Sequence, residues 1–274
     1  MMNLDAALSL LAQNQSAPLD LAELALALAR DEHPSLDVEA YLAELDAMAR
    51  EVRPRLRGGL QARTRALCRY LFDDMGFRGD DADYYNARNS YLNEVMDRRR
   101  GIPITLSAVA MAVGARAGLQ VSGVGLPGHF VAKATADGEE ALFDPYHGGR
   151  LLTPADCETL VRQAAGLEFE ATPAALEAAP LCQVVIRMLT NLKGAYLRAE
   201  DFSRAVRVMR RLRRLSPDDV MQRRDLGATL MRIGEPGQAI DHLDAYLQLA
   251  PPGEDADLVR KLLGQARGMV ARWN

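Results

Sequence analysis

Apolar residues recur at helical spacing over the first quarter of the chain. Leu21, Leu24, Ala25 and Leu28 are one example, and prolines and a Gly-Gly pair interrupt the pattern between Leu4 and Met75. Apolar positions three and four apart fall on one face of a helix. We therefore predict three or four amphipathic helices in this part of the chain.

The period of the pattern changes in the middle of the chain. "YLNEVMDRRR" indicates a helix that Asn89 or Ser90 caps, and "ITLSAVAMAVGARAG" indicates a buried helix that starts near Pro103 and ends at Gly118. Beyond that glycine apolar and polar residues alternate, which predicts four short strands, "LQVSGVGL", "HFVAKA", "EALFDP" and "RLL". Thr153 is placed to cap the helix that follows.

An internal repeat begins near Leu181. Corresponding residues lie 34 positions apart: Ala205 and Ala239, Tyr196 and Leu230, Leu215 and Leu249, and Pro217 and Pro251. Each block reads as two helices, and the period and landmarks resemble the tetratricopeptide repeat. We predict two repeats and a covering helix from about Asp255 to Trp273, which together form a short solenoid.

Charge and cysteine content narrow the class of protein. The net charge is −4, with 17 basic and 26 acidic residues before Leu181 (−9) and 16 basic and 11 acidic residues from there on (+5). This polarity is too weak to indicate a nucleic-acid binder, which usually has a basic domain with a clear stripe. Cys68, Cys157 and Cys182 form no CxxC motif, and no run approaches 18 apolar residues. We predict a cytoplasmic protein without a signal peptide, a disulfide framework or a membrane partner.

A hairpin carries the first candidate chemistry. With Asp137 and Gly138 at its tip, paired residues sum to 275, so His129 faces Tyr146. Side chains alternate along a strand, which puts His129 and Asp144 on one face as diagonal neighbours, roughly 7–8 Å apart at the backbone. A carboxylate at that spacing orients a histidine as a general base. A polar strand end beside a turn-forming aspartate is an equally good interpretation.

Three segments around this hairpin support a family resemblance. "NSYLNEVMDRRRGIPITLSAVAMAVGARAGL", "GVGLPGHFVAK" and "FDPYHGG" resemble the transglutaminase-like domain of the SirB type, which precedes tetratricopeptide repeats. The resemblance implies an α+β core like that of cysteine proteases, in which a helix packs on a small antiparallel sheet. It also implies that His129 and Asp144 are the family's histidine and aspartate.

The family's third catalytic residue is missing. In active relatives a cysteine lies at the start of the core helix, and that position falls near Pro103, which has neither a thiol nor an N–H. Thr105 is a weak substitute, because a hydroxyl without a close base is a poor nucleophile. Ser107 is a weak substitute for the same reason. We therefore disfavour cysteine-dependent acyl transfer.

Two further candidates flank the pair. His129, Asp144 and His147 together suit a metal ion, but alternation turns His147 away from Asp144 unless the strand ends first, so we predict a turn histidine and no metal. Arg100, with its two preceding arginines, either stabilises a helix end or reaches the pair or an acidic partner.

One face of the repeat region is rich in arginine. Arg204, Arg207, Arg211 and Arg214 share a face, while Ala205, Met209 and Leu212 form the opposite packing stripe. The arginine face is either solvated or binds a carboxylate, a phosphate or nucleic acid.

The chain divides by these criteria into N-terminal helices (1–88), a transglutaminase-like α+β core (89–180) and an all-α tetratricopeptide-type solenoid (181–274). We predict a degenerate, non-catalytic protein-interaction or regulatory module that binds a protein or peptide and needs no cofactor. The alternative is a hydrolase or acyl transferase that uses His129 and Asp144 without the family cysteine. The sequence predicts neither the partner nor the oligomeric state.

Overall fold

The computed structural model describes residues 3–13, 19–249 and 253–272, and for Glu254 the backbone alone. Its α-helices are α1 (Leu4–Ala12), α2 (Leu21–Ala29), α3 (Val38–Val52), α4 (Leu60–Cys68), α5 (Leu92–Arg98), α6 (Pro103–Ala117), α7 (Pro154–Ala165), α8 (Leu181–Arg198), α9 (Phe202–Leu215), α10 (Val220–Arg232), α11 (Pro236–Leu249) and α12 (Glu254–Ala271). Its strands are β1 (Arg78–Gly79), β2 (Arg100–Gly101), β3 (Gln120–Leu126), β4 (His129–Ala136), β5 (Glu139–Asp144) and β6 (Arg150–Leu152). A π-helical turn at Arg69–Asp74 continues α4.

The N-terminal helices begin where side chains satisfy free backbone donors. Asp20 accepts a hydrogen bond from the N–H of Glu23 at the start of α2, and Asp37 accepts one from Ala40 at the start of α3. The described residues before residue 69 form four α-helices, in agreement with the predicted three or four.

The predicted cap of α5 is wrong. Asn89 and Ser90 form a short 3₁₀ turn, and the N-cap residue is Tyr91, whose side chain makes no capping bond. The Asn89 side chain is instead used across the turn, where it donates to the Asp83 carbonyl and accepts from Arg98. These longer-range bonds outweigh the local preference for a cap.

Helix α6 is the central element of the first half. Pro103 occupies its first turn and Gly118 ends it with φ of +88°, as predicted. Nearly every side chain of α6 is buried, because the helix packs against β3 and β4 as well as α3. The prediction of a helix on a small antiparallel sheet is confirmed.

The sheet places its strands in the order β3-β4-β5-β6, all antiparallel. Asp137 and Gly138 turn between β4 and β5 with φ of +53° and +80°. Ala136 pairs with Glu139 and Ala132 with Phe143, so the register has the predicted sum of 275. Strands β1 and β2 form a separate two-residue parallel pair.

Helices α8 to α12 form the repeat region. Ala205 and Ala239, 34 residues apart, are both fully buried, and Gly227 lies so close to Leu243 that a methyl group there would sit 2.7 Å from its side chain. Small residues at these crossings allow the helices to approach closely. The predicted landmarks Pro251 and Trp273 lie outside the described residues.

The chain forms two compact units. Among the described residues, the first unit contains 3–7 and 19–188, and the second contains 8–13, 189–249 and 253–272. In these ranges no helix combines the length and apolar character needed to cross a membrane.

Candidate functional site

The hairpin brings His129 and Asp144 into direct contact. His129 is the first residue of β4 and Asp144 the last of β5. The Nε2 atom of His129 lies 3.0 Å from Oδ2 of Asp144, and both side chains are buried. Backbone register alone therefore produces the pair, as the alternation of the two strands predicts.

The carboxylate of Asp144 is fully buried, and both of its oxygens have hydrogen-bond partners. Its Oδ1 accepts a hydrogen bond from the Tyr146 N–H at 2.9 Å, and its Oδ2 contacts His129 and His147. Burial alone raises the pKa of Asp144, but the hydrogen bonds and charges of His129, and then of His147, hold it below its usual range. Asp144 is therefore an anion at neutral pH.

His147 does not turn away from Asp144, contrary to the alternation argument. Strand β5 ends at Asp144, and the following turn carries His147 back, so that its Nδ1 lies 2.7 Å from Oδ2 of Asp144. Half of the His147 side chain is exposed, whereas His129 is buried. It is a turn histidine, as predicted, but one that joins the pair.

A cleft of about 370 Å³ opens beside these residues. Its lining is aromatic and apolar around the two histidines: Tyr84, Tyr85, Pro103, Gly128, His129, Tyr146, His147, Leu160, Gln163 and Ala164. The Tyr146 ring meets the His129 ring edge-on, with centroids 6.1 Å apart. Its hydroxyl donates to Asp81 at 2.6 Å, and burial together with that bond raises the pKa of Tyr146. The cleft combines ring faces with buried polar atoms, as ligand sites do.

Pro103 shares this cleft with His129, at the N-terminus of α6 where the resemblance places a cysteine. Thr105 is fully buried, and its hydroxyl donates to the Asn89 carbonyl at 2.8 Å and accepts from the Ile102 N–H. The Ser107 hydroxyl is buried too and has no hydrogen-bond partner within the described residues. Neither hydroxyl belongs to the cleft lining.

The three cysteines are poor nucleophiles. Burial raises the pKa of Cys68 to about 12 and that of Cys157 to about 11, and it also raises the pKa of Cys182. A thiol with a raised pKa carries little thiolate at neutral pH. None of the three lines the cleft.

Arg187 contacts the turn that precedes His129, and the sequence did not predict this contact. Its guanidinium donates to the carbonyl of His129 at 3.1 Å and to that of Leu126 at 3.4 Å, so α8 braces the turn that carries the histidine. Burial lowers the pKa of Arg187. The available signal is its place in "LCQVVIRMLTNL", where it is the sole charged residue.

Arg100 is engaged away from the pair. Its guanidinium lies 3.8 Å from the buried carboxylate of Asp80, which Arg98 also approaches at 3.6 Å. Within the part of the chain that the structure describes, Arg100 makes no ion pair or hydrogen bond with His129 or Asp144.

The predicted faces of α9 are only partly separated. Ala205, Met209 and Leu212 are buried as expected, and Arg204 and Arg214 are exposed, but Arg207 and Arg211 are half-buried. Arg204 also pairs with Asp201.

A different set of basic side chains stands out in the repeat region. Arg213 Nη1, Arg223 Nε and His242 Nδ1 are buried nitrogens without a hydrogen-bond partner among the described residues. Burial lowers the pKa of His242, and the charges of Arg213 and Arg223 lower it further, with Asp241 opposing them. These three residues, from α9, α10 and α11, form what we call the basic cluster.

Comparison with known proteins agrees with this architecture. Residues 39–190 match the transglutaminase-like superfamily, and residues 192–264 match the tetratricopeptide repeat. The chain is therefore a transglutaminase-like protein with a tetratricopeptide-repeat segment. A UPF0162 protein of Xylella fastidiosa (strain Temecula1 / ATCC 700964) is 34% identical over 251 residues, which cover 88% of each chain. The chain belongs to this UPF0162 family of the transglutaminase-like superfamily.

More distant similarities extend beyond bacteria. The human F-box only protein 21 is 31% identical over 169 residues, which cover 58% of this chain and 24% of that protein. A crystal structure of menin aligns with 96% of this chain and 74% of its own, at 11% identity and a TM-score of 0.42, which is too low to indicate a shared fold.

Proposed function

We propose that this protein is a non-catalytic member of its superfamily whose repeat region binds a protein partner through an acidic segment. The observation that carries the first half is Pro103, which lies beside His129 at the expected position of the nucleophile. Without a thiol there, the pair has no thiolate to generate, and a thioester cannot form. The free cysteines suit a reducing compartment such as the cytoplasm.

The basic cluster supports the acidic nature of the partner. Arg213 and Arg223 are both half-buried, and each buries one guanidinium nitrogen, Nη1 and Nε respectively, that has no hydrogen-bond partner within the described residues. A buried donor without an acceptor destabilises the free protein, and two like charges that face each other add to that cost. A carboxylate that enters the cluster relieves both effects.

The guanidinium group favours this class of ligand. Its planar set of N–H donors matches the two oxygens of a carboxylate, and charge-assisted hydrogen bonds of this kind are stronger than neutral ones. Tetratricopeptide-type helices mainly bind peptides and partner helices. A glutamate-rich or aspartate-rich segment of a partner protein fits both requirements.

The test is a titration of the full chain with a fluorescein-labelled glutamate-rich peptide, followed by fluorescence anisotropy. We expect saturable binding, and a loss of at least about tenfold in affinity for the double variant Arg213→Gln/Arg223→Gln, since a hydrogen bond to a charged group contributes about 1.5–3 kcal/mol. Absence of binding, or equal affinity of the variant, would reject the proposal.

The matched control is Arg260→Gln. Arg260 is also a repeat-region arginine, but it is largely exposed and paired with Asp257 on α12. Removal of an exposed charge changes affinity little. An equal loss in this control would mean that overall charge, and not the basic cluster, attracts the peptide.

A second candidate function is hydrolysis with His129 as general base. The observation in its favour is the geometry of the His129 ring. Its Nε2 is held by Asp144, and its Nδ1 has no hydrogen-bond partner among the described residues. His129 also lines the cleft. Such a nitrogen can take a proton from a water molecule.

This candidate predicts turnover of ester or amide substrates that falls about 10²–10⁴-fold in His129→Ala, the usual contribution of a general base. A substrate panel without turnover above the His129→Ala background removes it and leaves the binding proposal intact.

A further inference from the structure

Three potential metal ligands converge at the cleft. His129 Nε2, Asp144 Oδ2 and His147 Nδ1 all lie within 4.8 Å of one another. The carboxylate oxygen is 3.0 Å from the first nitrogen and 2.7 Å from the second. Two imidazole nitrogens therefore point at one oxygen from different elements, the start of β4 and the turn after β5.

The charge of Asp144 lacks a permanent counter-ion. The carboxylate is fully buried, and within the described residues its ion-pair partners are the two histidines alone. A buried anion requires compensation, which an imidazole supplies only when it is protonated. A divalent cation bound by the same three atoms compensates the charge with both imidazoles neutral.

The ligand set indicates which cation. Two imidazole nitrogens with one carboxylate oxygen suit borderline transition metals such as zinc, whereas calcium and magnesium prefer oxygen ligands. Three protein ligands around zinc leave a fourth position for water or a ligand. Both histidines line the cleft, so that fourth position opens into it.

The observed distances are close to those of such a site. Ligand bonds of about 2.0–2.1 Å in a tetrahedral site place ligand atoms roughly 3.3 Å apart. The carboxylate oxygen therefore needs to move only a few tenths of an ångström from each nitrogen. His147 is free to make that adjustment, since its side chain is half-exposed in a turn followed by Gly148 and Gly149.

We propose that His129, Asp144 and His147 form a zinc-binding site whose open coordination position faces the cleft. The sequence argument against a metal was the alternation of β5, and that strand ends before His147. The site does not depend on the acidic-partner proposal, because it uses the first unit and the basic cluster lies in the second.

The test uses the full chain, purified without a histidine tag and treated with a chelator. We expect isothermal titration with zinc sulfate and elemental analysis to give one zinc ion per chain. His147→Asn should weaken binding by at least about 100-fold, since changes even in the outer shell of a metal site cost 10–100-fold. Asparagine keeps an N–H donor for Asp144 and is tolerated in turns, which favours a folded variant.

His33→Asn serves as the matched control. His33 also faces a carboxylate, Glu94 at 3.3 Å, but does not belong to the three-ligand cluster. We expect the His33→Asn variant to bind zinc with the same affinity as the unaltered chain. As a measurement that needs no variant, cobalt bound in place of zinc should give the visible absorption of a tetrahedral site.

Two results would overturn the zinc proposal. One is a chain that does not bind one zinc ion with a Kd of about 10⁻⁵ M (about −7 kcal/mol) or tighter. The other is a His33→Asn chain that loses as much zinc affinity as His147→Asn. Zinc binding without peptide binding supports the metal site and rejects the acidic-partner proposal, and the reverse result does the opposite.

Discussion

At the scale of residues, the turn from Asp144 to Gly149 decides the geometry of the site. The Asp144 carbonyl accepts a hydrogen bond from the Gly149 N–H at 2.8 Å, which closes the turn and carries His147 back to the carboxylate. Gly148 and Gly149 have φ of +70° and +73°, a region that glycine enters without strain. Two consecutive glycines therefore allow this turn to form without backbone strain.

The two glycines differ in their surroundings, which gives a matched pair of variants. A methyl group on Gly148 meets nothing within 4 Å, whereas one on Gly149 would lie 2.6 Å from Cβ of Cys68 and 2.5 Å from the Phe72 ring. We expect Gly148→Ala to lower the free energy of unfolding by about 1–2 kcal/mol through backbone strain alone. Gly149→Ala should cost a further 1–3 kcal/mol or so from overpacking.

Urea unfolding of the two variants measures the difference in their free energies of unfolding directly, provided that the slope of free energy against urea concentration is the same for both. The shared strain cancels in the comparison, so the remainder reports the contact with Cys68 and Phe72. Equal midpoints would show that this side of the turn yields without cost, and the close packing inferred for the turn would then be wrong.

At the scale of elements, local signals in the sequence were sufficient for much of the fold. The Asp137-Gly138 dipeptide and the alternation around it predicted the register of β4 and β5, and hence the contact between His129 and Asp144. Gly118 likewise predicted the end of α6. In each case the deciding interaction lies within a few residues of the signal, where backbone propensity is strongest.

The errors arise where a long-range contact decides. Alternation predicts the direction of His147 if β5 continues, and the end of β5 depends on its short pairing with β6, which stops at Asp144. The cap expected at Asn89 or Ser90 does not form, and the Asn89 side chain bonds with Asp83 and Arg98 instead. Arg187 reaches the carbonyl of His129 across 58 residues of sequence, and no local pattern encodes such a contact.

At the scale of the whole molecule, charge separates the acidic-partner proposal from binding to nucleic acid. The chain carries a net charge of −4 and its sequence pI is about 5.7, so its charge as a whole does not attract polyanions, although the residues from Leu181 on carry +5. The basic cluster acts at short range, because its buried nitrogens without partners need a ligand within hydrogen-bond distance. A short acidic segment can place a carboxylate there, whereas a duplex would also bring its whole charged backbone against the acidic remainder of the chain.

We therefore expect duplex DNA of about 20 base pairs to bind with a Kd weaker than about 10⁻⁴ M at 0.15 M salt, the weak end of non-specific binding. Any residual binding should fall with salt at a slope no steeper than about −1.8, because Arg213 and Arg223 neutralise at most two phosphates. The four predicted arginines of α9, Arg204, Arg207, Arg211 and Arg214, would give about −3.6 if they acted together. Anisotropy of a labelled duplex across a salt series distinguishes the two slopes. A Kd below about 10⁻⁵ M with the steeper slope would transfer the binding role from the basic cluster to the α9 arginines and make nucleic acid the partner.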